Sequence, residues 1–366
     1  MPKNDMSEGR PPFLRFWVCA RGFWKGKSAK ASWPLTAALI AVALAQIAVQ
    51  YRLNYWNRDF FNALERRDAA GLWDQAWLFP PLACLSISLS VASVWGRMTT
   101  QRKWREWLTR HLLALWLGDD RYRGLKFVAG EYQNAEYRIS VDARIATDAP
   151  VDMALGLFGA VATAIVFVDV LWAVGGSLTV AVGAYHVTIP GYLVLGVGLY
   201  SFVFTTGTMT IGRKLPAIIQ SQNQAEAEML AAATRIRESG DGTTPAGDDR
   251  VERSPVWQAL RQVLERWRQL CWQLMGTTMV SQTDLLLAPV SAWVLCAPKY
   301  LDGAMTLGEL TQASAAFVTV QVAFNWLVDN FQRLSDWRAA TNRVATLLLA
   351  LDQVGGGEAG PVALSE

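Results

Sequence analysis

"RKLPAIIQSQNQAEAEMLAAATRIRE", residues 213–238, follows directly on the apolar run "IPGYLVLGVGLYSFVFTTGTMTIG" of 189–212. No helix breaker follows Pro216, and the Ala, Gln and Glu that fill the stretch are good helix formers. The apolar run and its polar continuation therefore read as one helix from about 190 to 237. At ~1.5 Å per residue it measures roughly 70 Å, of which a bilayer's hydrocarbon takes only ~30 Å. The chain crosses a membrane with a helix that projects far beyond it.

Composition agrees. Of 366 residues 52% are apolar, the mean hydropathy is positive and there are 17 Trp, which suits a polytopic membrane protein. Six stretches reach spanning length: 33–50, 76–96, 151–174, 189–212, 274–298 and 306–330. Polar residues interrupt the first and the fifth, which makes these two marginal. Lys and Arg crowd the N-terminus, the connections 97–150 and 213–273, and the stretch after the sixth span; the 175–188 loop has none. Because Lys and Arg stay cytoplasmic, both termini are expected inside and residues 175–188 outside. The first 30 residues are basic and lack the apolar core of a cleavable signal. Cys19, Cys84, Cys271 and Cys296 have neither metal nor disulfide spacing, and two histidines are too few for a Cys/His metal site.

Gly26-Lys27-Ser28 ends like a phosphate-binding loop, but that loop needs a glycine at position 21, where Arg21 stands, and a preceding apolar strand. The triplet is read as a basic flank that orients the first span and attracts anionic lipid. Between spans 2 and 3, Trp104, Leu108, His111/Leu112 and Leu115 form a stripe at helical spacing. The two internal connections are thus long and helical, while the external ones after spans 3 and 5 are short. The expected fold is an all-α polytopic membrane protein with six transmembrane helices and long cytoplasmic extensions, the geometry of an ABC-exporter transmembrane domain. The expected divisions are a basic segment with an interfacial elbow helix (1–32), the transmembrane domain (33–350) and a flexible tail (351–366).

Five blocks carry a family resemblance: "NYWNRDFFNALERRDAAGLW" (54–73), "NAEYRISVD" (134–142), the run 189–216, "APKYLDGAMTLGELTQASAAF" (297–317) and "WLVDNFQRLSDWRAATNRV" (326–344). They resemble the YddA-like ABC transporters and the related SbmA/BacA peptide-uptake proteins, in order, over about residues 40–350. The resemblance implies a homodimer of twelve spans around a cavity, which moves peptides or similar amphiphilic cargo across the bacterial inner membrane. YddA-like members carry a C-terminal ATPase domain; SbmA/BacA members lack it and run on the proton gradient. No Walker or ABC-signature motif follows the sixth span here. Proton coupling is therefore the first expectation, and the membrane half of an ABC transporter with a separate ATPase subunit the alternative. A non-transporting scaffold is the third reading. Where the resemblance implies a more ordered helical stretch at the second docking tip, this chain has the polar, Gly-rich "SGDGTTPAGDDRVE" (239–252), which fits a chain with no ATPase to drive and equally an ordinary indel.

Ionisable groups inside a bilayer cost roughly 2.5–3.5 kcal/mol on insertion scales, which makes them functional candidates. Here these are Asp329, Asp284 and Asp169 within spans, Glu309 near the outer end of span 6, and Glu226 on the extension of span 4. The resemblance matches only Glu226 to a family position. Each carboxylate has a plain alternative, pairing with Arg or a backbone group across a helix contact. Tyr132, Asn134, Arg138 and Asp142 at the first internal tip, and Arg237 and Glu238 at the second, either dock a partner or lock the structure. In the 54–73 block, Trp56, Phe60 and Leu64 form an i, i+4 row that closes the cavity from outside or simply packs. There is no Ser/His/Asp grouping, no HExxH and no Cys/His cluster, so an enzyme and any cofactor are not expected. A nucleic-acid partner is not expected either, since the basic residues sit at membrane edges.

Overall fold

A computed structural model of the chain describes residues 20–25, 29–125, 134–182, 185–240 and 249–354. Eleven helices are used below: α1 (Gly22–Lys25), α2 (Ala29–Glu65), α3 (Ala69–Leu117), α4 (Arg121–Gly124), α5 (Ala135–Tyr137), α6 (Ala143–Gly175), α7 (Tyr192–Gly212), α8 (Leu215–Gly240), α9 (Asp249–Leu301), α10 (Leu307–Asp329) and α11 (Phe331–Val354). A five-residue π turn, Arg138–Asp142, joins α5 to α6.

Five of the described helical stretches are long and apolar enough to cross a membrane: Ser32–Glu65, Ala69–Leu117, Ala135–Gly175, Tyr192–Arg237 and Pro255–Leu301. The sixth expected span forms α10, whose 23 residues reach about 34 Å. Its buried side chains include Gln312, Ser314 and Gln321, which dilute its apolar character.

The all-α class holds, with one addition and one correction. An antiparallel pair of short strands, β1 (Ser177–Val182) and β2 (Tyr185–Pro190), stands between helices, with Ser177 opposite Pro190. Val, Thr, Ile and Tyr in alternation favour strand over helix there. Gly176 and Gly191, both in the left-handed region, pinch its base, and the Gly191 N–H donates to the Gly176 carbonyl at 2.8 Å. The fourth span consequently begins at Tyr192, not 189. The long helix expected from 190 to 237 is also broken at Arg213–Lys214 into α7 and α8. Pro216 in the first turn of α8 offers no N–H and crowds the carbonyl four residues back.

The described residues pack as two units. The first comprises the described parts of Met1–Val170, Thr306–Gln312 and Val322–Glu366. In it α2 and α3 pair as an antiparallel hairpin, turned by left-handed Arg67 and capped by Asp68, whose carboxylate accepts the Gly71 N–H at 3.1 Å. Gly96 of α3 makes room for Leu39 of α2, because a Cβ there would stand 2.8 Å from the leucine. The predicted stripe is the core of this unit: Trp104, Leu108, Leu112 and Leu115 are buried against Phe23, Ile139, Leu347 and Leu351. His111 lies at the edge and stacks on Trp107. The helix expected to stop near Leu351 continues to Val354.

The second unit comprises the described parts of Leu171–Met305 and Ala313–Gln321. Here α7 and α8 run beside the 53-residue α9, with Gly196 fitted under Leu295. The Lys299 ammonium donates to the Gly175 carbonyl and ties the hairpin base to the end of α9.

Candidate functional site

The polar groups fall into three clusters, none of which contains a set of His, Cys, Asp or Glu that could hold a metal among the described residues. The first is the π turn of the "NAEYRISVD" block. Asp142 is fully buried, and both its oxygens accept from Arg343 of α11, at 2.9 and 2.7 Å. This bidentate pair holds the Arg343 guanidinium above its ordinary pKa, and burial opposes it. Arg138, also buried, donates to the Arg343 carbonyl at 3.3 Å and to Thr346 Oγ1 at 3.0 Å. Asp142 is thus no ordinary surface charge. Arg138 and Asp142 tie the π turn to α11, while Asn134 at the head of α5 is exposed, as are Glu136, Tyr137 and Ser140. Tyr132 lies outside the described residues.

The second cluster lies ten residues further along α6. Asp152 accepts from Arg333 of α11 at 2.6 Å and from Gln101 of α3 at 2.7 Å, and Arg97 of α3 stands 3.4 Å away. Gln101 also donates to the Asp148 carbonyl at 2.9 Å. Nothing in the sequence reading singled out Asp152, Arg97 or Gln101. The signal available was their position at the ends of predicted spans.

The third belongs to the second unit. Gln321 of α10 donates to Asp284 of α9 at 3.1 Å, Ser201 of α7 donates to the Gln321 side-chain oxygen, and Tyr200 donates to the Asp284 backbone carbonyl at 3.2 Å. Ser201 and Gln321 are buried and Asp284 half-buried. Asp284 is the one predicted carboxylate that sits in a buried polar network built from spanning helices.

The other candidates are placed differently. Glu309 closes a capping box on Thr306: its carboxylate accepts the Thr306 N–H at 2.9 Å and Thr306 Oγ1 accepts the Glu309 N–H at 3.2 Å. The same helix start is held by Glu65, which accepts the Leu307 N–H, and by Asn62, which accepts the Gly308 N–H, each at 3.0 Å. Trp56 donates to the Gln75 carbonyl at 2.8 Å and packs on Phe79. Within the 54–73 block these contacts are packing and capping ones. Asp169 and Asp329 are exposed on α6 and α10. Glu226 is exposed on α8, accepts from Gln222 at 3.1 Å and lines an open groove of about 580 Å³ with Leu230, Leu260, Leu264 and Trp267. Arg237 is exposed near the end of α8, where Glu238 follows it.

The family model for the ABC transporter transmembrane region 2 matches residues 25–301. The chain belongs to that family. It is 25% identical over 341 residues to the inner membrane ABC transporter ATP-binding protein YddA of Escherichia coli, covering 90% of this chain and 59% of YddA. It is 22% identical to the chloroplastic ABC transporter D family member 2 of Arabidopsis thaliana, covering 93% of this chain and 46% of that protein. An ABC transporter ATP-binding protein of Synechocystis is 24% identical, covering 87% and 46%. The chain thus spans about half the length of these curated relatives, and the resemblance to YddA-like transporters is borne out. As an ABC-type membrane domain it places Arg97, Asp142, Asp152 and Asp284 within the matched region, and Arg333, Arg343 and Gln321 in the 65 residues after it.

Proposed function

We propose that this membrane domain is the cargo-conducting half of a homodimeric ABC-type transporter, which moves peptides or similar amphiphilic solutes across the bacterial inner membrane. An ATPase domain or subunit seated on its cytoplasmic helix ends would drive it. One observation carries this reading: α7–α8, 46 residues over Tyr192–Arg237, and α9, with 53, run far past the ~30 Å that hydrocarbon requires. Such arms offer an ATPase a surface outside the bilayer. The relatives' names, all of ABC transporter proteins, support the same reading. In this topology both termini are cytoplasmic and the hairpin is external. A cysteine at Ser177 should react with an impermeant maleimide in intact cells; protection of Ser177 there would overturn the orientation.

A second reading, coupling to protons, is favoured by the Asp284–Gln321–Ser201 network, a carboxylate held by neutral groups between spanning helices. Uptake of a labelled peptide into proteoliposomes separates the two. On the first reading, transport needs ATP and an added ATPase partner, survives an ionophore, and tolerates Asp284→Asn. On the second, a pH gradient alone suffices and Asp284→Asn abolishes uptake. Absence of uptake under both conditions would remove the transport reading.

A further inference from the structure

The two ion pairs between α6 with its π turn and α11 are not equivalent. Their partners run in opposite order, Asp142 with Arg343 and Asp152 with Arg333, so the helices are antiparallel and pinned twice. The Asp142 pin is buried on its acidic side, and around it Val344, Leu347 and Leu351 are fully buried. The second half of α11 is therefore fixed. Its first turn and a half is less covered: Phe331 is 60% exposed, Arg333, Ser335 and Asp336 are exposed as well, and burial begins again at Trp337. A break at Asn330 separates α11 from α10; there the chain leaves helical geometry and the Asn330 side chain donates back to the Trp326 carbonyl at 2.9 Å. Before the break α10 is tight on α6, since a Cβ on Gly156 would stand 2.6 Å from the Trp326 indole. The start of α11 is thus a short segment between two anchored ones.

Asp152 itself has two cations for one charge. Arg333 holds one oxygen at 2.6 Å and Arg97 already pairs more loosely with the other at 3.4 Å, with side-chain exposures of 54% and 40% against 16% for the carboxylate. Gln101 orients it from α3 at 2.7 Å. We propose that Asp152 is a partner-exchange switch: it holds the start of α11 through Arg333 in this structure and passes to Arg97 when that segment swings away about the Asp142–Arg343 pin. A carboxylate stripped of its partner at a membrane edge pays a large desolvation penalty, and a second arginine already paired with its other oxygen removes it. The released Arg333 keeps Asp336 one turn away on its own helix. The swing then costs little, and α3, α6 and α11 trade contacts without exposing a bare charge.

The test reads distance, not transport, so it is independent of cargo and energy source. Spin labels at Arg102 of α3 and Ser335 of α11, both exposed, are placed on the full chain with its own cysteines replaced. Labelled chains are diluted into unlabelled ones in lipid nanodiscs, and electron–electron resonance gives the distance within one chain. The native sequence should show two populations. Arg97→Gln should remove the longer one and Arg333→Gln the shorter one, while thermal melting confirms that both variants stay folded. A single distance unmoved by either change would overturn the switch. A shift with Arg333→Gln alone, and none with Arg97→Gln, would also overturn it by reducing Asp152 to a fixed tie.

Discussion

The polar end of α3 and the arm formed by α8 with α9 are both helical continuations of apolar spans, yet they pack in opposite ways. On α3 the stripe Trp104–Leu115 disappears beneath Phe23, Ile139 and Leu351 of its own chain. On the arm, Leu230, Trp257, Trp267 and Trp272 stay between 52% and 68% exposed. Both carry large side chains at helical spacing, so side-chain type does not separate them. What separates them is whether the chain supplies a cover. The α3 end receives one from α1, the π turn and α11, whereas the arm's groove beside Glu226 is left open. The first region is a finished core and the second is a surface in waiting.

Substitutions can break or sharpen that contrast. The largest loss should come from Trp104→Ala, which empties a fully buried site and should cost about 3–5 kcal/mol, read as a fall in the unfolding midpoint of the purified chain. Gly308→Ala should come next. An added Cβ would collide with the Arg58 carbonyl oxygen and push the start of α10 off Asn62 and Glu65, an overpacking cost of about 1–3 kcal/mol. Asp142→Asn weakens a bidentate pair, but Arg343 keeps 45% of its side chain in solvent, so about 1–2 kcal/mol is expected in the same measurement. Smallest is Trp267→Ala, within about 0.5 kcal/mol for the isolated chain. A large loss at Trp267 in the isolated chain would erase the contrast. A loss that arises only in the assembled transporter would sharpen it, by showing that a partner covers the arm.

Much of the fold was legible because it is local. Spanning length, the i, i+4 stripe from Trp104 and the extension past Gly212 depend on residues within a few turns of one another. The hairpin at 177–190 was hidden because its valines and threonines continue an apolar run on either side. Of the polar candidates, Asp284 kept its place in a buried network, whereas Glu309, chosen as a carboxylate near a membrane, turned out to be half of a capping box. Thr306 and Glu309 stand at the spacing of that motif, so the alternative was readable.

By itself the sequence determined a helical membrane protein whose helices outrun the bilayer, since hydropathy and helix propensity act over one element at a time. Only the tertiary structure decided which charge meets which. Arg343 lies 201 residues from Asp142 and Arg333 lies 181 from Asp152, and nothing local to either arginine marks its partner. Pairing at that range follows from the antiparallel register of α6 and α11, and register is set by how whole helix faces pack, which no single stretch of the chain encodes.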